Sequence, residues 1–295
     1  MYAVTGATGK TGLVVAEELL KAGKEVIAIG RDEEKLAQLE AAGAEVCAGD
    51  LLDKHFAEKA LKGARAAYIM IPQNFSTSDY RGFQREISES LASAVVANGL
   101  THVVTLSSVG AQMPEKGGIV QGLYDMEQIF NALDGINVLH LRPGFFMENL
   151  FSMIPVIKNM NMLVSGIRPD LPVPMVATPD IGMLAARHLK TLDFSGKGHQ
   201  YVLGARDYTY PEVAALIGRY VDKPGLPYVQ VGPDQLIESF MQMGATRNIG
   251  EVYAQFTEAM NNGSVMEGVE RNAGNTTPTL LDEFAVLFAE AYKSR

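Results

Sequence analysis

Three glycines spaced three apart, Gly6-x-x-Gly9-x-x-Gly12, constrain this chain more than any other feature. They directly follow the apolar run Tyr2-Ala3-Val4-Thr5 and directly precede the helix-like run Leu13-Val14-Val15-Ala16-Glu17-Glu18-Leu19-Leu20. Glycines there permit a tight reversal, let a ligand approach backbone N–H groups closely, and seat the following helix against its strand. The helix N-terminus then faces an anion, and Lys10 adds positive charge at the same place. A purely structural turn would use the same glycines, so the surrounding pattern has to decide.

That pattern is regular. Short apolar runs at Tyr2–Thr5, Glu25–Ile29, Ala44–Cys47, Ala66–Ile71, His102–Ser107 and Asn137–Leu141 read as strands separated by helical stretches, two of which stop at Gly23 and Gly43. Alternation of this kind gives right-handed βαβ units and a parallel sheet covered on both faces, with its crevice at the carboxyl ends of the strands. After Leu141 the chain is broken by Pro143, Pro155, Pro169, Pro172 and Pro174, and five methionines fall between residues 147 and 175. The expected architecture is α/β. A doubly wound, Rossmann-type sheet spans residues 1–149 and is completed by a piece near 175–205, and a smaller interleaved α/β lobe spans 150–295. Helices are expected at Asp180–Leu192, Pro211–Val221 and Pro278–Tyr292, and strands at Gln200–Gly204 and Leu226–Val231.

Composition narrows the function classes. The 295 residues carry a formal net charge of -9, and an acidic surface repels phosphate backbones, so direct nucleic-acid binding is not expected. Cys47 is the single cysteine, which excludes an intrachain disulfide. No uncharged run reaches the roughly 18 residues of a membrane helix, and the start shows no secretory pattern, so the sequence reads as cytoplasmic and not membrane-bound. The five histidines have no metal-ligand spacing.

Several strand ends carry candidate chemistry. In Ile29-Gly30-Arg31-Asp32, an acid would be expected for an unphosphorylated ribose, whereas Gly30 leaves space and Arg31 offers a planar cation to a 2′-phosphate. NADP(H) is therefore expected over NAD(H). Asp32 could receive the ribose or cap the helix that follows. In Gly49-Asp50-Leu51, the Asp50 carboxylate could accept from an adenine amino group or close a local Asx turn. Ser108, in Leu106-Ser107-Ser108-Val109-Gly110, and Tyr124 could together polarise a carbonyl, but a phenol needs a nearby lysine, and the fourth residue beyond Tyr124 is Gln128. Surface or packing use would account equally for Tyr124. Within Leu141–Leu150, Phe145, Phe146 and Asn149 would suit a small, flat, apolar substrate, and core packing of the small lobe would account for the aromatic residues as well.

With Val4-Thr5-Gly6-Ala7-Thr8-Gly9-Lys10-Thr11-Gly12, Gly30-Arg31, Ala48-Gly49-Asp50-Leu51, Ser107-Ser108, Leu141-Arg142-Pro143-Gly144 and Asp180-Ile181-Gly182, the chain resembles the NmrA-like atypical short-chain dehydrogenase/reductases. The resemblance implies pyrophosphate contacts along Gly6, Thr8, Gly9, Lys10 and Thr11 with Gly12 behind them. It also implies the 2′-phosphate at Arg31, adenine near Asp50 and Leu51, and nicotinamide near Pro72 and Pro143. Such proteins divide between NADPH-dependent quinone reductases and regulators that bind the cofactor without turnover. Several have a lysine four residues before the glutamate matching Glu127; here that position is Leu123. The expectation is hydride transfer from NADPH to a small, electron-poor acceptor such as a quinone, the alternative being a non-catalytic NADP(H) sensor. Either is compatible with a homodimer or a regulatory protein partner.

Overall fold

The computed structural model describes residues 1–294. Strands β1 (Tyr2–Thr5), β2 (Val26–Gly30), β3 (Glu45–Ala48), β4 (Ala66–Ile69), β5 (His102–Leu106) and β6 (Asn137–Pro143) alternate with helices α1 (Lys10–Lys21), α2 (Glu33–Ala41), α3 (Lys54–Ala60), α4 (Tyr80–Ala97) and α5 (Gln121–Asn131). There follow β7 (Phe145–Phe146), α6 (Ile154–Met160), β8 (Leu163–Ser165), β9 (Val173–Val176), α7 (Thr178–Thr191) and β10 (Lys197–Val202). The chain ends through β11 (Asp207–Tyr208), α8 (Tyr210–Tyr220), β12 (Tyr228–Gln230), α9 (Pro233–Gln242), α10 (Arg247–Asn261) and α11 (Leu281–Ser294).

Seven strands form one parallel sheet in the order β10-β6-β5-β4-β1-β2-β3. Side chains alternate across it. Ala3, Ala67, Val103 and Val138 pack with Ala57, Ile87, Leu91, Met126 and Phe130 from α3, α4 and α5. Their neighbours Val4, Tyr68, Val104 and Leu139 pack on the other face with Val15, Leu19, Leu36, Ile181 and Ala185 from α1, α2 and α7. Burial on both faces is what makes the strands continuous apolar runs.

The strand ends depart slightly from the sequence reading, for local reasons. β4 stops at Ile69 because Met70 N donates to the Thr5 hydroxyl at 2.8 Å in place of a ladder partner. β6 continues to Pro143, whose carbonyl accepts from Val109 N at 2.9 Å, while Gly144 N donates to Val202 O.

The remaining chain builds its own core around Met147, Leu150, Met175, Tyr208, Phe256, Phe284 and Phe288, with a three-stranded sheet β11-β9-β7 and a two-stranded sheet β12-β8. Helices α9 and α10 occupy a stretch to which the sequence reading assigns no element. Ile249, Tyr253, Phe256 and Met260 in fact repeat at helical spacing after Thr246, and Pro233 opens α9. The terminal helix begins at Leu281 and not at Pro278, because Asp180 accepts from both Thr279 N (3.2 Å) and Thr279 Oγ1 (2.8 Å) and fixes that segment outside the helix.

At Gly12 a β-carbon would lie 2.3 Å from Gly6 O, whereas at Gly30 it would meet nothing nearer than 3.5 Å. Gly12→Ala is therefore expected to lower the unfolding free energy by about 1–3 kcal/mol through forced backbone shifts, and Gly30→Ala to change it by less than about 0.5 kcal/mol. Urea denaturation of the two variants checks this. Equal midpoints would show that α1 moves away at no cost.

Candidate cofactor and acceptor site

The glycine turn leaves β1 with Gly6 at φ 61°, in the left-handed region, and its missing β-carbon makes room for the Met70 side chain. Ala7 N donates to Ile29 O, and Gly9 N to Gly6 O at 2.8 Å, closing the turn. Gly9 is the N-cap of α1 and provides no side-chain cap, so the first turn of the helix presents its amides toward the carboxyl edge of the sheet. Thr11 beneath it is buried, and its hydroxyl pairs with the Tyr68 hydroxyl at 2.9 Å. Lys10 reaches across to the Glu148 carbonyl at 3.3 Å and lies over the Phe151 ring. The Glu148 carboxylate in turn accepts from Thr178 N at 3.0 Å and caps α7, an explanation for this glutamate that the sequence did not suggest.

At the β2 end, Arg31 is exposed and makes no ion pair among the described residues. Asp32 caps α2, accepting from Lys35 N at 3.2 Å; the Lys35 ammonium at 2.9 Å, helped by this cap bond, holds its carboxyl below the usual range. After β3, Asp50 Oδ1 accepts from Leu52 N at 3.0 Å, the local Asx turn, and Leu51 is buried.

At the ends of β5 and β6 the residue that connects to α5 is Ser107, the neighbour of the serine singled out by the sequence. Its hydroxyl donates to Glu127 Oε1 at 2.5 Å. Glu127 and Arg142 form a buried fork, Nε to Oε1 at 3.0 Å and Nη2 to Oε2 at 2.5 Å, and Arg142 Nη1 continues to the Tyr201 hydroxyl at 3.3 Å. Two residues before Arg142 on β6, His140 Nδ1 shares a hydrogen bond with Thr105 Oγ1, and its Nε2 with Asn131 Oδ1; burial pushes its pKa down to about 4 and keeps it neutral. Ser108 and Tyr124 are both half-buried, and no hydrogen bond joins them. The Arg81 guanidinium is forked onto Asp125, the neighbour of Tyr124, at 2.6 and 2.7 Å. Gln128 is exposed. The sequence signal for the Ser107–Glu127–Arg142 network is slight: Arg142 ends the largely apolar run of β6, whereas Glu127 stands between the polar Asp125 and Gln128.

Pro72 is half-buried, and the mostly exposed loop after it is tied to the distant helices. Thr246 N donates to Phe75 O, Thr246 Oγ1 to Thr77 O, and the Asn248 side chain accepts from Tyr80 N. Phe75 meets Tyr253 edge-on, and Tyr253 stacks on Phe240 with centroids 4.2 Å apart. Phe145 packs on Phe256 and Phe146 against the sheet core, whereas Asn149 is exposed. Pro143 is buried at the end of β6.

A family model described as the NmrA-like family matches residues 2–285. The chain is 27% identical over 296 residues to a (4-alkanoyl-5-oxo-2,5-dihydrofuran-3-yl)methyl phosphate reductase from Streptomyces griseus subsp. griseus, covering 99% of both chains. Its fold is similar to an NADPH-dependent quinone oxidoreductase from Escherichia coli complexed with NADPH, with a TM-score of 0.78, 21% identity, and 97% of this chain and 98% of the other covered. A Citrobacter sp. triphenylmethane reductase complexed with NADP(H) superposes with a TM-score of 0.81 at 20% identity, over 98% of this chain and all (100%) of the other.

Breaking a buried ion pair leaves one charge stranded. Arg142→Met is expected to lower the unfolding free energy by about 3–5 kcal/mol, and adding Glu127→Leu to restore at least half of that, because the pair is replaced by apolar contact. Denaturant unfolding of both single variants and the double variant measures it. Additive losses would mean that the two charges are stabilised independently.

Proposed function

The chain belongs to the NmrA-like family, and from that premise we propose that it is an NADPH-dependent oxidoreductase acting on small, flat, electron-poor acceptors such as quinones. The carrying observation is the uncapped, glycine-built N-terminus of α1 at the carboxyl edge of a parallel sheet. A β-carbon at Gly9 would lie 3.1 Å from Gly6 O, so a side chain there would crowd the turn where a ligand would approach. The residues fit a dinucleotide: Thr8, Gly9, Lys10 and Thr11 would hold the pyrophosphate, and Arg31 the 2′-phosphate. Asp50 and Leu51 would lie near adenine, and Pro72 and Pro143 would flank the nicotinamide. When bound, reduced nicotinamide supplies a hydride.

The acceptor edge decides which substrates suit. Glu127 and Arg142 saturate each other, His140 is neutral, and Tyr124 has Gln128 where a partner lysine would stand, so these residues offer no strong proton donor. A ketone needs one, because an alkoxide is far more basic than a phenolate. A reduced quinone is a weakly basic aromatic anion that solvent can protonate. Phe145, Phe146 and the Pro72 loop would offer flat apolar contact. The alkanoyl dihydrofuranone, quinone and triphenylmethane named for the three similar reductases are in keeping with unsaturated acceptors.

Two outcomes are expected. NADPH binds about ten- to a hundredfold more tightly than NADH, and Arg31→Ala removes most of that preference, measured by fluorescence titration. Purified protein oxidises NADPH only when a quinone is added, and Tyr124→Phe costs less than tenfold in rate, under about 1.4 kcal/mol. Equal affinity for both cofactors would remove the assignment of Arg31. Tight NADPH binding without turnover across an acceptor panel would make the protein a cofactor-binding regulator.

A further inference from the structure

Tyr68 stands in the middle of β4, between Val4 of β1 and Val104 of β5, with no solvent exposure. Its hydroxyl and that of Thr11 have two hydrogens between them and share one hydrogen bond, of 2.9 Å. A phenol hydrogen sealed in an apolar core requires an acceptor, and among the described residues the one bonded to it is Thr11 Oγ1, so Tyr68 is the donor. Burial also raises the phenol above its ordinary range and keeps that hydrogen in place.

Thr11 is left with a hydrogen that has no acceptor among the described residues, although its side chain is only 4% exposed. A buried helical threonine can turn this hydrogen onto the carbonyl four residues back. Thr11 is the second residue of α1, so its counterpart four back, Ala7, lies in the turn outside the helix. The helix cannot shift to find another partner, because a β-carbon on Gly182 of α7 would already lie 2.9 Å from Thr11 O.

We infer that Tyr68 is a positioning residue for the dinucleotide: by filling the acceptor side of Thr11 Oγ1 it fixes that hydroxyl as a donor to a pyrophosphate oxygen. This rests on the cofactor reading above. Phosphate oxygens only accept, so a freely rotating threonine hydroxyl would present them with a lone pair part of the time. With one lone pair taken by Tyr68, the hydroxyl has fewer rotamers in which a lone pair meets the phosphate, and the chain Tyr68–Thr11–phosphate polarises in one direction.

The test compares two probes, NADPH and adenosine 2′-phosphate, which has the 2′-phosphate but no pyrophosphate. Tyr68→Phe is expected to weaken NADPH about five- to twentyfold while adenosine 2′-phosphate changes less than twofold. In steady state KM for NADPH rises and kcat holds. In a Thr11→Val background the Tyr68→Phe change adds less than twofold. If Tyr68→Phe does not fold, Thr11→Val and Thr11→Ser carry the test: the valine loses NADPH affinity selectively and the serine retains it within about threefold. Unchanged NADPH affinity in Tyr68→Phe, or equal losses for both probes, overturns the inference while the cofactor reading stands. Wild-type protein that binds neither probe overturns both.

Discussion

The closeness of α1 to the turn before it governs the carboxyl edge of the sheet. With hydrogen in place of a side chain at Gly12, the helix starts almost against the Gly6 carbonyl, and its axis points its free amides over the ends of β1 and β4. Tyr68 beneath, and α7 alongside through Gly182, hold it there. Three contacts at one helix end thereby fix where α1 starts.

The two halves of that edge solve the polar-group problem in opposite ways. Around α1 the first-turn amides have no side-chain cap, and the buried Thr11 hydroxyl keeps a hydrogen with no acceptor among the described residues. Around β5 and β6 the strongest polar groups are turned inward and satisfied among themselves, with Ser107, Glu127, Arg142 and Tyr201 in one chain and Thr105, His140 and Asn131 in another. A fully partnered buried network is rigid and chemically quiet, whereas an unpartnered helix end is neither. The first half is equipped for binding and the second for holding still.

Much of the sheet was legible because strands buried on both faces are unbroken apolar runs, and the glycine turn marks where the first one ends. Strand ends were less so: Thr5 truncates β4 through a hydroxyl 65 residues away in sequence. Periodicity is blind to such links. The same applies to Glu148 capping α7, to Asp180 holding Thr279, and to Ser107 outranking Ser108 as the residue joined to α5. Helix α10 carried a periodic signal that went unread amid polar surroundings. Arg31, Asp50 and the glycines could be nominated as ligand contacts because their strand-end positions follow from topology alone.

The position of β10 has a consequence for synthesis. β6 ends at Pro143, and its outer neighbour is complete only at Val202, so at about 5–20 residues per second the nascent chain spends roughly 3–12 s with β6 made and its partner missing. Over the same interval the face formed by Val104, Leu139 and Leu141 waits for Ile181, Ala185 and Leu189 of α7. An unpaired strand edge and an uncovered apolar face on one intermediate are what holding chaperones recognise and what other nascent chains stick to. The strand order thus ties the yield of folded protein to translation speed and to shelter at the ribosome exit.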